Sequence, residues 1–237
     1  MAAKFFYPVI HCIDPYEMNG IAHALHNTKI ATKNNADGAF LIGHTLSWGD
    51  LCRIYDSVRK QFPKLFIGIN FLDTASREDW TQLAFAVKQC PGLNALWIDS
   101  TPNTRLAIDS EIQIFSGVAF KYRNPDLSGG GLKDACIHTQ RLGHCITTSG
   151  NETGMPPSIE KLQTIRSIIG TDEPLTVASG VSAQNVESIL SIADSVLVAS
   201  SISEPRKEFG GGDCLIPEKV DELANLVLSC AYLNHPV

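Results

Sequence analysis

Eight short apolar runs of strand length recur along this chain of 237 residues, and they constrain its fold more than any other feature. They are FYPVIHCI near Phe5, GAFLIGH from Gly38, LFIGINFL from Leu65, ALWIDS from Ala95, IQIFSGVAFKY from Ile112, HCITTSG from His144, LTVASGV from Leu175 and SVLVASSIS from Ser195. Between most of them lie amphipathic stretches with helical spacing: WGDLCRIYDSVRKQF, SREDWTQLAFAVKQC, PPSIEKLQTIRSII and SAQNVESILSIA. Alternating strands and helices make a parallel sheet with helical crossovers. Strands that are apolar at nearly every residue belong to a sheet buried on both faces. A doubly wound open sheet usually carries about five to seven strands and a glycine fingerprint after the first. Here the count is eight and the first turn reads HCIDPYEMNG, so the fold class is α/β, a single (β/α)8 TIM barrel over residues 1–237. Two gaps are short. Ser100 to Ile112 has room for a loop or about one helical turn, and Val181 to Ser195 for a helix of about three turns.

In such a barrel the site is built at the C-terminal ends of the strands and in the loops just after them. That rule selects His11, Cys12 and Asp14 from the first strand, His44 from the second, Asn70 and Asp73 from the third and Asp99 from the fourth. It then selects Lys121, Thr148 with Ser149, Ser179 with Gly180, and Ser200 with Ser201 from the remaining four. His11 is the candidate general acid or base, because imidazole titrates near neutrality. Lys121 follows Gly117 and Ala119 at alternating positions, so strand periodicity aims it along a face of small residues that leaves room for a ligand. Asp99 is its expected partner, since lysine is seldom buried unpaired. Lys121 could clamp an anion, act as a base or form a Schiff base; alternatively a Lys–Asp pair only closes the barrel mouth. The seventh and eighth strands carry a phosphate signal: loops in this place commonly bind phosphate through free backbone N–H groups, and Ser179, Gly180, Ser200 and Ser201 permit close approach. Ser182 would N-cap the following helix. The glycine triplets in SGGGLKD and FGGGDC fall on the same end of the barrel, as ligand loops or as flexible turns.

Composition narrows the partners. With 44% apolar and 19% charged residues the chain can build a sizeable core. A net charge of −6 with scattered Lys and Arg disfavours nucleic acid. No window reaches the roughly 18 apolar residues of a membrane span, and His11 and Asp14 interrupt the N-terminal apolar stretch before a signal core is complete, so a cytoplasmic location is expected. The seven cysteines are widely spaced, without CxxC or zinc-type Cys/His spacing, which predicts unbridged thiols and no metal site. No cofactor fingerprint is present, and homo-oligomerisation stays open.

Seven segments together resemble the BtpA/SgcQ family within the ribulose-phosphate-binding barrels: VIHCIDP, NADGAFLIG, IGIN, VAFKY, TTSGNETGMPPSIEKLQTIR, VASGVSAQNV and DSVLVASSI. The likeness runs from about Val9 to Ile202, and the sixth to eighth strands carry most of it. It departs at DPYEMNG, where the family has a proline- and glycine-rich loop, so Asp14 and Glu17 receive no catalytic role. The resemblance implies a phosphorylated sugar or nucleotide-like ligand, with Gly154 in the loop after the sixth strand as a further contact. The expected function is an enzyme of isomerase, lyase or glycosidic-bond type, with His11 and Asp99 as acid/base groups and Lys121 as an electrostatic or nucleophilic group. Its rival is a non-catalytic barrel that keeps the pocket and acts as an assembly or stability factor.

Overall fold

A computed structural model describes residues 3–16, 19–72, 80–124 and 126–233. Asp73 and Glu17 lie outside the described residues. Eight parallel strands close into a barrel in sequence order: β1 Phe5–His11, β2 Gly38–Ile42, β3 Phe66–Asn70, β4 Ala95–Ile98, β5 Gln113–Gly117, β6 Cys145–Thr148, β7 Leu175–Ala178 and β8 Ser195–Val198. All eight apolar runs are therefore strands, and β8 returns to β1 with Phe5 opposite Ser195. Alternation within each strand divides the core in two. Tyr7, Val9, Phe40, Ile42, Trp97, Phe115 and Leu197 pack on one another inside the barrel, with Phe40 in edge contact with Phe115 at 5.2 Å. Their neighbours Phe6, Ile10, Leu41, Ile69, Leu96 and Val196 face the helices.

Seven helices surround the barrel among the described residues: α1 Gly20–Lys33, α2 Trp48–Gln61, α3 Trp80–Lys88, α4 Gly129–Arg141, α5 Ile159–Ile169, α6 Val186–Leu190 and α7 Pro217–Leu233. Two start on serine caps, Ser47 Oγ accepting from Asp50 N and Ser158 Oγ from Lys161 N, each at 3.1 Å. The short gap between β4 and β5 holds only turns, anchored on α4 by His138 Nε2 at 2.9 Å from the Pro102 carbonyl.

Four expectations change. The glycine triplet at 129–131 opens α4 rather than a ligand loop. Helix α6 has five residues, little more than one turn, against the expected three. Asn185, not Ser182, organises its start: Asn185 Oδ1 accepts from Ser182 N at 2.8 Å and Asn185 Nδ2 donates to the Gly180 carbonyl at 2.9 Å. The second triplet lies in a hairpin that follows β8, made of β9 Ser203–Arg206 and β10 Gly212–Leu215. That hairpin is pinned on α1, where Asn27 Oδ1 accepts from Leu215 N at 2.6 Å and His23 Nε2 meets the Asp213 carbonyl at 2.8 Å.

Candidate active site

A cavity of about 570 Å³ opens at the C-terminal ends of the strands, and ten of the residues singled out from the sequence line it. His11, His44, Asn70, Asp99 and Lys121 stand on one side; Gly154, Ser179, Gly180, Ser200 and Ser201 stand on the other. Thr148 does not line it. It is fully buried beneath the cavity, and its hydroxyl is 3.4 Å from the Ala119 carbonyl. Cys12 is buried on the outer face of β1, and the Asp14 carboxylate accepts from Tyr16 N at 2.7 Å within its own loop.

The acid/base side is built from strand ends. The rings of His11 and His44 meet edge to face with centroids 5.1 Å apart. His11 Nδ1 lies 3.6 Å from Asp213 Oδ2, so the hairpin after β8 supplies a carboxylate that the strand-end rule could not find. Burial and the neighbouring His44 pull the His11 imidazole below its ordinary range, and Asp213 opposes the shift. Its resting form near neutrality is thus the neutral base. Asp99 accepts from Asn70 Nδ2 at 3.1 Å; burial raises its carboxyl, while Asn70 and Lys121 hold it down. Burial lowers Lys121, with Asp99 opposing.

Two features of Lys121 differ from the strand-based expectation. Strand β5 ends at Gly117, and Lys121 sits in a turn after Ala119 at φ 47°, followed by Tyr122 at φ 59°. Left-handed backbone at a residue as bulky as Tyr122 is uncommon and strained. Gly117 does not make ligand room either, since a Cβ there would lie 2.2 Å from the Asp99 carbonyl oxygen; the glycine permits the close approach of the β4 end. Lys121 also closes no ion pair on Asp99 among the described residues. Its Nζ lies 5.8 Å from the centre of the Phe120 ring, and Asp99 acts on it as a nearby opposite charge without a closed pair.

The turn that carries Lys121 is held from below by α5. Capping by Ser158 places Lys161 in the first turn of that helix, and its ammonium donates to the carbonyls of Ala119 at 2.5 Å and Ser149 at 2.8 Å. Ser149 Oγ in turn accepts from Lys121 N at 2.7 Å. Burial pulls Lys161 down to about 8. The loop after β6 thereby fixes β5's turn, and it fixes the loop after β7 as well. Gly154 N donates to Ser179 Oγ at 2.9 Å, and Gly180, at φ 68°, packs against Pro156 so closely that a Cβ would lie 2.1 Å from its nitrogen. Ser201 Oγ donates to the Val181 carbonyl at 2.7 Å, whereas exposed Ser200 has no such commitment. No acceptor among the described residues takes the N–H of Gly180, Val181, Ser200 or Ser201.

No curated protein matches the chain in sequence. Solved structures match in shape. Thiamine phosphate pyrophosphorylase from Pyrococcus furiosus is 12% identical over 95% of this chain and 96% of that one, with a TM-score of 0.58. Tryptophan synthase alpha chain from Legionella pneumophila is 15% identical over 98% and 92%, with a TM-score of 0.60. N-acetylneuraminic acid synthetase from Leptospira borgpetersenii is 9% identical over 98% and 86%, with a TM-score of 0.62. At these identities the likeness establishes the barrel fold. The sequence profile of the BtpA family matches residues 91–226, from just before β4 into α7, and thus covers the Lys121 turn, the β6 loop and both serine loops. The chain belongs to the BtpA family.

Proposed function

We propose that this barrel is an enzyme that binds a phosphorylated small molecule, a sugar phosphate or nucleotide-like compound, and moves a proton on it. The observation that carries the reading is the division of one cavity of about 570 Å³ into an ionisable half and a half of serine loops with free backbone donors. The phosphate is assigned to the β7 and β8 loops, where N–H groups of residues 180, 181, 200 and 201 and the hydroxyl of Ser200 donate to it. Helix α6 is too short to add much dipole, so the loops themselves provide the donors.

Across the cavity His11 takes a proton from the substrate, and the Asp213 carboxylate stabilises the imidazolium that forms. Asp99, raised by burial, returns a proton, and the Lys121 ammonium balances negative charge that develops between them. Isomerase, lyase and glycosidic-bond chemistry share these requirements. A barrel of similar shape, thiamine phosphate pyrophosphorylase, carries a phosphorylated compound in its name, which supports a phosphorylated ligand for this architecture.

The test is a thermal-shift screen with sugar phosphates, nucleoside monophosphates and their dephosphorylated counterparts. Phosphorylated members should raise the melting temperature by mass action and their counterparts should not. Equal responses, or none at millimolar concentration, would refute the phosphate site. For any compound that binds, His11→Gln should keep binding and lose turnover. Binding with no turnover in the parent would favour the non-catalytic alternative.

A further inference from the structure

Two thiols outside the cavity face each other. Cys52 lies on the inner side of α2 and Cys90 in the turn after α3, with Sγ atoms 3.2 Å apart and Cys90 donating to Cys52. Cys52 Sγ also lies 3.5 Å from the Ala86 carbonyl, whereas Cys145 Sγ meets the Thr176 hydroxyl at 3.1 Å. None of the seven cysteines is in a disulfide, and the wide sequence spacing that predicted this gave no sign of the close approach of Cys52 and Cys90, 38 residues apart.

The pair is asymmetric. A hydrogen bond from Cys90 stabilises a thiolate on Cys52 and would be lost if Cys90 ionised, so the first thiol is pulled down and the second pushed up. Cys52 also keeps the larger exposed edge, 8% against 2% for Cys90. A disulfide requires the sulfurs to approach to about 2.05 Å, roughly 1.2 Å closer than they stand, which is within reach of side-chain rotation at two neighbouring elements. We propose that Cys52 and Cys90 form an oxidative cross-linking site, a dithiol that a small hydroperoxide converts into a disulfide joining α2 to the turn after α3.

The chemistry proceeds in two steps. The Cys52 thiolate attacks one peroxide oxygen, the O–O bond breaks, and with one proton taken up the products are a Cys52 sulfenic acid and water. Cys90 then loses its proton and attacks Cys52 Sγ; the S–S bond forms as the S–O bond breaks, and the departing hydroxide takes that proton as a second water. Two thiols and one hydrogen peroxide thus give one disulfide and two waters. The site is independent of the cavity reading, because neither cysteine lines that cavity.

The full-length reduced protein is treated with hydrogen peroxide, quenched by alkylation under denaturing conditions and mapped by peptide mass. The expected result is a 52–90 linked peptide two hydrogens lighter than its parts, with the other five cysteines still alkylated. A melting temperature that rises on oxidation and falls back with dithiothreitol should accompany it, because the cross-link restricts the unfolded chain. Cys90→Ser should leave Cys52 as a sulfenic acid trapped by dimedone, whereas Cys52→Ser should leave Cys90 unmodified. Should a serine variant fold poorly, Cys90→Ala provides the same test. Recovery of Cys52 and Cys90 fully alkylated at peroxide doses that modify any other cysteine would overturn the proposal, as would a cross-link between a different pair.

Discussion

Lys121 and Gly180 both line the cavity, yet their neighbours change what substitution should do. Without a closed pair on Asp99, removing the Lys121 ammonium strands no buried partner at ion-pair distance. Lys121→Met, which keeps the apolar stem, should therefore hold stability within about 1 kcal/mol of the parent, rather than the roughly 3–5 kcal/mol lost when a buried pair is broken. It should at the same time abolish stabilisation by whichever phosphorylated compound the screen identifies. Denaturant melts with and without that compound separate the outcomes; a variant that still responds like the parent removes Lys121 from the site. A side chain introduced by Gly180→Val would crowd an anion out of the β7 loop. The packing of Gly180 on Pro156, together with its φ of 68°, turns that substitution into a structural lesion costing more than about 2 kcal/mol. A lowered melting temperature without ligand should show it. Ser200→Ala is the cleaner probe of the anion site, because its exposed hydroxyl holds no other loop in place.

At the scale of elements, the loop after β6 ties the mouth of the barrel together, and Lys161 is its buttress on the β5 side. Lys161→Met keeps the aliphatic stem but leaves the Ala119 and Ser149 carbonyls without their ammonium, so the strained turn should relax and carry Lys121 toward water. The sign is the pH at which Lys121 becomes half-reactive toward a trace acylating reagent, followed by mass spectrometry. It should climb toward the ordinary lysine value of about 10.4, and a midpoint equal to the parent's would refute the buttress. None of this tie was legible in the chain. The strands were, because residues such as Phe40 and Leu41 pack on opposite sides of one sheet and both must be apolar. The end of β5 was not, because VAFKY continues to alternate while Ala119 turns left-handed, a conformation that apolar patterning does not encode. The triplet at 129–131 misled for the opposite reason: glycine signals a loop by propensity, and here packing of Leu132, Cys136 and Thr139 carries the helix through.

For the whole molecule, the hairpin after β8 joins the last part of the chain to α1 and brings Asp213 to His11, a long-range contact with only two four-residue strands to announce it. The fold stability that supports this arrangement also depends on imidazoles buried in the neutral state. His144, just before β6, is 4% exposed, with Nδ1 at 2.8 Å from Ser116 Oγ and Nε2 buried without a hydrogen-bond partner among the described residues. Burial first, then the Arg105 and His138 charges, lowers it from 6.5 to about 4. Between those two values the unfolded chain binds a proton at this site and the folded chain does not, so stability is lost as pH falls from about 6.5 and the loss levels off near 4. The slope from one such group is at most about 1.4 kcal/mol per pH unit, on the order of 3 kcal/mol over the window. His23, also lowered chiefly by burial, adds loss of the same sign. His144→Gln removes one titrating group while keeping a polar side chain near Ser116, so urea melts at pH 7 and pH 4.5 should differ by less in the variant than in the parent. An undiminished difference would place the acid sensitivity elsewhere, and His23 beneath the hairpin would then be the group to replace.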